Sequence, residues 1–311
     1  MSKNKDKSFK TSIGGQALIE GVMMRGPQKI AMAVRKPDGG LQVDVWDAPK
    51  KTLWNRIPIV RGVVNMVVSL MDGYKCLMKS AEISTQGMEE EEPSKFEKWL
   101  DEKLGDKMTK VVSVLSAVVG FGVAILLFTF LPAFLVGLLK GVLPRWGLSI
   151  IEGLLKIALF IGYLALVSLM PDMKRMFQYH GAEHKTIFCY EAGLELTVEN
   201  VRKQRRFHPR CGTSFLIIAL VLSILVFSVV TWSSPLIRTL LKLAMTPIVV
   251  GVAYELIKLA GRYDNLFTRI LSFPGLQLQH LTTREPDDAM IEAAIASMEP
   301  VLPEKKGEDQ W

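Results

Sequence analysis

Residues Val111 to Leu139 read VVSVLSAVVGFGVAILLFTFLPAFLVGLL, a run of 29 residues without a charge. A second uncharged run, TSFLIIALVLSILVFSVVTWSSPLI, covers the 25 residues from Thr213 to Ile237. The hydrocarbon core of a bilayer is about 30 Å thick, and a helix of roughly 20 apolar residues crosses it. Each run is therefore long enough to span a membrane, and a buried core helix of a soluble protein is the weaker interpretation.

Two further apolar stretches, Gly147 to Met170 and Leu236 to Ala260, are interrupted by charged residues. With them, the sequence predicts a mainly α-helical, polytopic membrane protein with about four transmembrane helices between residues 111 and 260. The overall composition, 49% apolar and 22% charged, excludes a disordered chain and a disulfide-rich miniature. It resembles a globular average only because apolar runs and polar segments are averaged together.

The segment 171–212, between the second and third predicted spans, is rich in lysine and arginine. It contains Lys174, Arg175, Lys185, Arg202, Lys203, Arg205, Arg206 and Arg210. The loops on the other side offer little beyond Arg145, so the positive-inside rule places this segment in the cytoplasm. Four spans then place both termini there too, and the first ten residues show no signal peptide. The expected location is the cell inner (cytoplasmic) membrane, with several passes.

The remaining parts are predicted to be cytoplasmic. Residues 1–54 contain a β-hairpin, because short strands at Lys29–Arg35 and Leu41–Trp46 flank the turn sequence PDGG. The preceding segment, Ile13 to Pro27, is expected to add a strand, and its four glycines suggest close backbone approach to another group.

Residues 55–110 are predicted to contain amphipathic helices, one over Ile57 to Met78, and an acidic linker at Met88 to Pro93. That helix is expected on the membrane surface or packed on the spans. Residues 261–311 form a C-terminal segment in which Pro274 to Pro286 are predicted to be an ordered loop. A short helix near Asp287 to Met298 and a disordered tail follow.

A candidate metal site begins in the sequence HGAEH, which contains His180, Glu183 and His184. On a helix, residues four apart share a face, so both imidazoles can meet one cation. The order H-x-x-E-H is the inverted form of the zinc-protease helix, in which the glutamate activates water. Glu183 is therefore the candidate catalytic base.

A second cluster lies immediately before the third span, where HPRC brings His208 and Cys211 three residues apart. Two ligand sets are open. A closed structural set would use His180, His184, His208 and Cys211, whereas an open catalytic set would use the first two histidines and a distant carboxylate, for which Glu255 is the best candidate. Glu255 has a simpler alternative role as the partner of Lys258 one turn further on. All three cysteines are expected in the reducing cytoplasm, where a disulfide framework is improbable.

Four blocks of the sequence carry a resemblance to a known family. They are GGQALIEGVMMRG at 14–26, HGAEHK at 180–185, HPRCGTSF at 208–215 and LTTREP at 281–286. The chain resembles the YqhQ-like family, bacterial membrane proteins of unknown function that are sometimes labelled predicted metal-dependent enzymes. The resemblance covers most of the chain and implies a bacterial cell-membrane protein. It supplies no substrate and no catalytic residues.

Two classes of function follow from these patterns. The first is a membrane protein with a divalent metal, zinc being the first candidate, at its cytoplasmic face and with metal-dependent hydrolysis as its reaction. The second is a non-catalytic scaffold or membrane-protein biogenesis factor, whose basic central loop contacts a ribosome, a translocon or client membrane proteins. The net charge of +7 is explained by topology and anionic lipid, so no specific nucleic acid is expected. The lipid bilayer is the expected partner, and an oligomer is compatible with the sequence.

Overall fold

The computed structural model describes residues 9–50, 52–87, 108–139, 141–228, 235–263, 265–305 and 307–310. The chain divides into two compact units, one formed by Met1–Gln86 with Leu164–Trp311 and the other by Gly87–Tyr163. The predicted acidic linker at 88–93 lies outside the described residues.

The architecture is mainly helical, as predicted, with one small sheet near the N-terminus. The strands are β1 Gly14–Leu18, β2 Gly21–Arg25, β3 Lys29–Arg35 and β4 Leu41–Asp47. The helices are α1 Val60–Ser84, α2 Met108–Ile125, α3 Leu131–Gly137, α4 Arg145–Val167, α5 Pro171–Glu191, α6 Val198–Arg202, α7 Gly212–Ser228, α8 Pro235–Arg262, α9 Leu266–Thr282 and α10 Asp288–Met298. A π-helical turn at Leu126–Phe130 joins α2 to α3.

The sheet is antiparallel, with its strands in chain order. The predicted hairpin is confirmed, because β3 and β4 pair from Lys29 with Asp47 to Arg35 with Leu41. The segment that was predicted to add one strand supplies two, β1 and β2. They are joined by a tight turn in which Glu20 adopts a positive φ of 51°.

Helices cover both faces of this sheet. Since side chains alternate along each strand, a single strand supplies residues to both helical layers. On one face, Ile30 and Met32 of β3 pack with Cys76 and Ile83 of α1. On the other face, Ala31 and Ala33 belong to a cluster with residues of α5 and α10, including Tyr179, Ala182, Met290 and Ile291. The core of this unit is therefore a helix–sheet–helix sandwich, in which one face of α5 packs against the sheet.

Among the residues that the structure describes, three helical stretches are long and apolar enough to cross a membrane: Val114–Gly137, Trp146–Val167 and Leu240–Arg262. They correspond to the first, second and fourth predicted spans and indicate a membrane protein. The third predicted span begins as α7, whose described part is apolar but only 17 residues long. Its predicted continuation through 229–234 lies outside the described residues.

The amphipathic helix that was predicted near Ile57 is α1, and its N-terminal half packs on α8. Arg61 forms an ion pair with Glu255, and Asn65 Nδ2 donates to the hydroxyl of Tyr254 at 2.8 Å. Gly62 permits this approach, since a Cβ there would lie 2.7 Å from the Cβ of Tyr254. The helix therefore connects the sheet to a helix with the composition of a membrane span.

The prediction of a loop at Pro274–Pro286 is wrong for most of its length, because α9 continues through Pro274 to Thr282. Pro274 lies inside the helix, and the buried positions Gly275, Leu278 and Gln279 supply packing that outweighs the cost of the proline. The short helix near Asp287 is confirmed as α10. In the tail that was predicted to be disordered, Gln310 pairs with Thr11 in an isolated β-bridge.

Candidate metal centre

Helix α5 places His180, Glu183 and His184 at the centre of the unit. The helix opens with Pro171 in its first turn and ends before Gly193, which has a φ of 67°. A glycine inside a helix costs about 1 kcal/mol relative to alanine. Gly181 is needed here because a Cβ would lie 2.0 Å from the carbonyl oxygen of Arg284. The predicted helical arrangement of HGAEH is thus held against the segment that follows α9.

Backbone carbonyl groups fix the tautomers of both histidines. His180 Nδ1 lies 2.8 Å from the carbonyl oxygen of Thr282, and His184 Nδ1 contacts the carbonyl oxygen of Arg206. Since a carbonyl only accepts hydrogen bonds, each Nδ1 carries the proton and each Nε2 is left for another partner. This is the usual arrangement around metal-ligating histidines, whose second nitrogen donates to a carbonyl or carboxylate.

Cys211 completes the group from the beginning of α7. Its Sγ lies 3.1 Å from His180 Nε2 and 3.4 Å from the backbone nitrogen of Thr213. Its carbonyl oxygen accepts from Ser214 and Phe215, so the thiol stands at the N-terminus of a helix, where the dipole favours an anion. Burial alone would raise the pKa of Cys211, but the neighbouring His180 and His184 hold that pKa well below the ordinary thiol value.

The same pairing acts in reverse on His180. Burial lowers the pKa of this imidazole, but the Cys211 thiolate and its hydrogen bond raise the pKa to about 9. Without a cation, the pair is therefore a thiolate and an imidazolium. A metal ion would replace the proton on Nε2 and keep the thiolate, which is the form that binds metal.

The three side chains converge closely enough to hold one ion. Ligand atoms of His180, His184 and Cys211 all lie within 4.8 Å of one another, and both His184 and Cys211 are buried. Ligands of a tetrahedral zinc are about 3.5 Å apart, given metal bonds of roughly 2.0–2.3 Å. Side-chain movements of about 1 Å would close the group around zinc. His184 Nε2 is buried and has no hydrogen-bond partner in the described part of the chain. Two imidazoles and a thiolate are donors that suit zinc.

Glu183 lies beside this group rather than in it. Its Oε1 accepts a hydrogen bond from the backbone nitrogen of Gly15 at 3.0 Å, whereas its Oε2 is buried and finds no partner among the described residues. Gly15 must be a glycine here, because a Cβ would lie 2.9 Å from Cγ of Glu183. Burial raises the pKa of this carboxyl group, His180 and His184 oppose that rise, and Cys211 adds to it. A carboxylate with a raised pKa is suited to accept a proton near neutral pH.

The structure does not bring the other two predicted ligands into the group. His208 is buried beside it, with its ring centre 5.4 Å from that of His184, and its Nε2 accepts a hydrogen bond from Arg210. Burial and the charge of Arg210 lower its pKa well below the ordinary value, so the ring is neutral. Glu255 forms an ion pair with Arg61, and the charge of Lys258, its partner in the simpler alternative, also acts on this carboxylate. The roles of His208 and Glu255 as ligands stay predictions.

Gln279 of α9 is a residue that the sequence analysis missed. Its Oε1 accepts from the backbone nitrogen of His208 at 2.7 Å, and its Nε2 donates to the carbonyl oxygen of His208 at 2.8 Å. The side chain is fully buried, so the amide acts as a clamp that holds the HPRC segment next to α5. In the sequence, Gln279 stood out only as a polar residue between Leu278 and Leu281 in an otherwise partly apolar segment. The carbonyl groups of Thr282 and Arg206 gave no sequence signal at all.

Ion pairs neutralise much of the basic segment around the site. Arg210 pairs with Glu191, and both side chains are buried; Glu191 also accepts from the backbone nitrogen of Thr11 at 2.8 Å. Further pairs are Arg175 with Glu20, Lys185 with Glu285, Arg202 with Asp288, Lys203 with Glu199 and Arg206 with Glu285. The basic residues from which the topology is predicted are thus also used inside the fold to position the site.

The geometry can now be set beside known proteins. A family described as "Protein of unknown function (DUF1385)" matches residues 57–304, which include α5, HPRC and α9. The chain belongs to the DUF1385 family. It is also similar to the uncharacterized protein YqhQ of Bacillus subtilis (strain 168), with 35% identity over 309 residues, 97% of this chain and 95% of that protein. No solved structure matches. The predicted family resemblance is confirmed, and the family assignment brings no activity with it.

Proposed function

We propose that this chain is a membrane protein with four transmembrane helices and both termini in the cytoplasm, and that it catalyses metal-dependent hydrolysis at a cytoplasmic site. Along the chain, the apolar helix Trp146–Val167 precedes α5 and the HPRC segment, and the apolar helix Gly212–Ser228 follows them. This order supports a site near the membrane surface. The lysine and arginine content of 171–212 supports the cytoplasmic side.

The observation that carries the proposal is a pair of buried polar atoms, His184 Nε2 and Glu183 Oε2, that have no hydrogen-bond partner among the residues that the structure describes. They lie beside the Cys211 thiolate. Leaving such atoms unpaired costs about 1–3 kcal/mol of stability each, so a bound ligand is the expected explanation for their presence. His180, His184 and Cys211 are three ligands, and catalytic zinc sites keep a fourth position for water. A bound divalent metal supplies the Lewis acidity that lowers the pKa of water.

In this proposal each residue has a distinct task. His180 and His184 present Nε2 to the ion, because the carbonyl groups of Thr282 and Arg206 hold the protons on Nδ1. Cys211 supplies the negative ligand from the N-terminus of α7. Glu183 accepts the proton of the attacking water on Oε2, while Gly15 fixes the other carboxylate oxygen.

The first experiment measures metal in the full chain, purified in a mild detergent and supplied with zinc. We expect one equivalent per chain, and a loss of nearly all of it in His184→Ala. His280→Ala is the matched control, since that histidine is exposed and stacks on Phe207 outside the group. Substoichiometric metal in the unsubstituted protein, or equal metal in His184→Ala, would contradict the proposal.

Two further variants separate the proposed roles. With cobalt in place of zinc, a thiolate ligand gives a near-ultraviolet charge-transfer band. This band should disappear in Cys211→Ser and remain in Cys189→Ala, whose thiol lies in the apolar core. Glu183→Gln should retain the metal, because a base is not a ligand; loss of metal in that variant would assign Glu183 to the ion and remove the proposed base.

The scaffold alternative has weaker support. It was suggested by the basic segment, but Arg202 and Arg206 pair with Asp288 and Glu285. These pairs leave less free charge for an anionic partner such as ribosomal RNA. Crosslinking and co-purification from gently solubilised membranes would test it, and stoichiometric recovery of a ribosome or translocon with a metal-free chain would favour the scaffold over the enzyme.

A further inference from the structure

Helix α9 has two halves with different surroundings. Its C-terminal half is buried through Gly275, Leu278, Gln279 and Thr282, and contacts α7 closely: a Cβ on Gly275 would lie 2.4 Å from Oγ of Ser214. Its N-terminal half leaves four large apolar side chains exposed. These are Leu266, Phe267, Ile270 and Phe273, each between 56% and 75% exposed. We call these four residues the α9 apolar face.

The face is continuous and lies opposite the buried side of the same helix. At 100° per residue, its four positions fall within an arc of about 120°. The buried positions Thr268, Ser272 and Gly275 fall on the opposite arc. The N-terminal half of this helix is therefore amphipathic in the opposite direction to a helix on a soluble protein. Its inner face carries hydroxyl groups and a glycine, and its outer face carries the large apolar side chains.

The chain itself indicates what this face meets. The candidate span Leu240–Arg262 ends at Arg262, and α9 begins only four positions later, at Leu266. A helix that starts so soon after a span must begin at the boundary between the hydrocarbon and the water. At that boundary, large apolar side chains enter the acyl region while aromatic and arginine residues contact the headgroups.

The charges near the face fit the same boundary. Arg262 and Tyr263, just before α9, and Arg269 within it are exposed, and α9 contains no acidic residue. Anionic headgroups of the cytoplasmic leaflet attract such arginines, at about 1 kcal/mol for each residue near the surface.

We infer that α9 is an interfacial membrane helix, whose apolar face is inserted in the cytoplasmic leaflet of the bilayer. This inference rests on the membrane topology in the proposed function and does not require metal binding. The same helix carries Gln279 and the carbonyl group of Thr282, which hold the metal centre. The metal centre therefore lies about three turns of helix, or roughly 15 Å along α9, from the inserted apolar face.

The test uses the full chain in liposomes that contain anionic phospholipid. A cysteine is introduced by Ile270→Cys and labelled with an environment-sensitive fluorophore; all three native cysteines are buried, and the unsubstituted protein gives the background. Asp38→Cys, in the exposed turn between β3 and β4, is the water-exposed control. Lipids with spin labels high on the acyl chain quench a label that lies in the interface, whereas iodide quenches a label in water.

We expect the label at position 270 to emit at shorter wavelength than the control and to be quenched several-fold more by the spin-labelled lipids. Quenching by iodide to the same extent as the control would refute the inference. Protection from both quenchers would also refute it, because a second copy or another helix would then cover the face. Metal content of the same samples separates either outcome from a failure of the proposed metal centre.

Discussion

Gly181→Ala is the substitution whose effect follows most directly from the geometry. By helix propensity alone it should stabilise α5 by about 1 kcal/mol. The added Cβ, however, would lie 2.0 Å from the carbonyl oxygen of Arg284, whereas ordinary van der Waals contact begins at about 3.4 Å. The obstacle is backbone, and Arg284 is also tied to α5 by the hydrogen bond from its nitrogen to the carbonyl oxygen of Phe177 at 2.8 Å.

The magnitude follows from three contributions. Overpacking costs about 1–3 kcal/mol, and displacement of this segment weakens the buried bond from His180 to Thr282 by about 1 kcal/mol. After subtraction of the propensity gain, a net loss of about 1–3 kcal/mol is expected. In a protein of 311 residues, that loss lowers the melting temperature by roughly 2–5 °C. Metal affinity should also fall by about 10–100-fold, since the disturbed carbonyl orients a ligand.

The assay is thermal unfolding in detergent, together with metal titration. Gly162→Ala is the matched control, because Gly162 lies in helix α4 with open space where its Cβ would be, so that variant should be neutral or slightly more stable. If Gly181→Ala melts at or above the temperature of the unsubstituted protein and binds zinc equally well, the close approach of α5 to Arg284 is refuted.

Three other substitutions are predicted from the same structure. Glu183→Gln should raise the melting temperature of the metal-free protein at pH 8. Burial raises the pKa of Glu183 in the folded state, so the stability that its protonated form contributes is lost as the pH rises. The advantage of the glutamine variant should therefore vanish below the ordinary glutamate pKa of about 4.3. A pH-independent difference would contradict this cause. Gln279→Ala should destabilise the protein by about 1–3 kcal/mol, because it removes the partner of the backbone nitrogen of His208 and leaves its carbonyl oxygen with only the long bond from the Cys211 nitrogen at 3.4 Å. The exposed Gln277→Ala should change stability little, and equal effects would argue against the clamp. Glu255→Ala should leave zinc content unchanged, since Arg61 engages that carboxylate, whereas loss of zinc would restore Glu255 as a ligand.

The sequence was most informative where periodicity or a local motif carries the physics. Uncharged runs predicted the apolar helices because the bilayer sets a length and tolerates few charges. Alternation around PDGG predicted β3 and β4 because turn chemistry is local. The spacing in HGAEH placed His180 and His184 on one face of a helix, which is a property of the helix alone.

The sequence failed where a long-range contact decides the outcome. The loop prediction at Pro274 followed the local cost of proline, but burial of Leu278 and Gln279 against distant segments overrides it. The ion pair of Glu255 with Arg61 is a second case, because the two residues lie 194 positions apart and no local rule reveals it.

The sequence by itself thus determined the membrane character, the hairpin and the pairing of two histidines, since each depends on residues close together in the chain. Only the tertiary structure decided that Cys211 joins His180, that Glu183 stands beside them with one oxygen on Gly15, and that His208 is clamped by Gln279. Those contacts join residues from 31 to 168 positions apart. Their geometry depends on how the helices pack on one small sheet, and local preferences do not encode that packing.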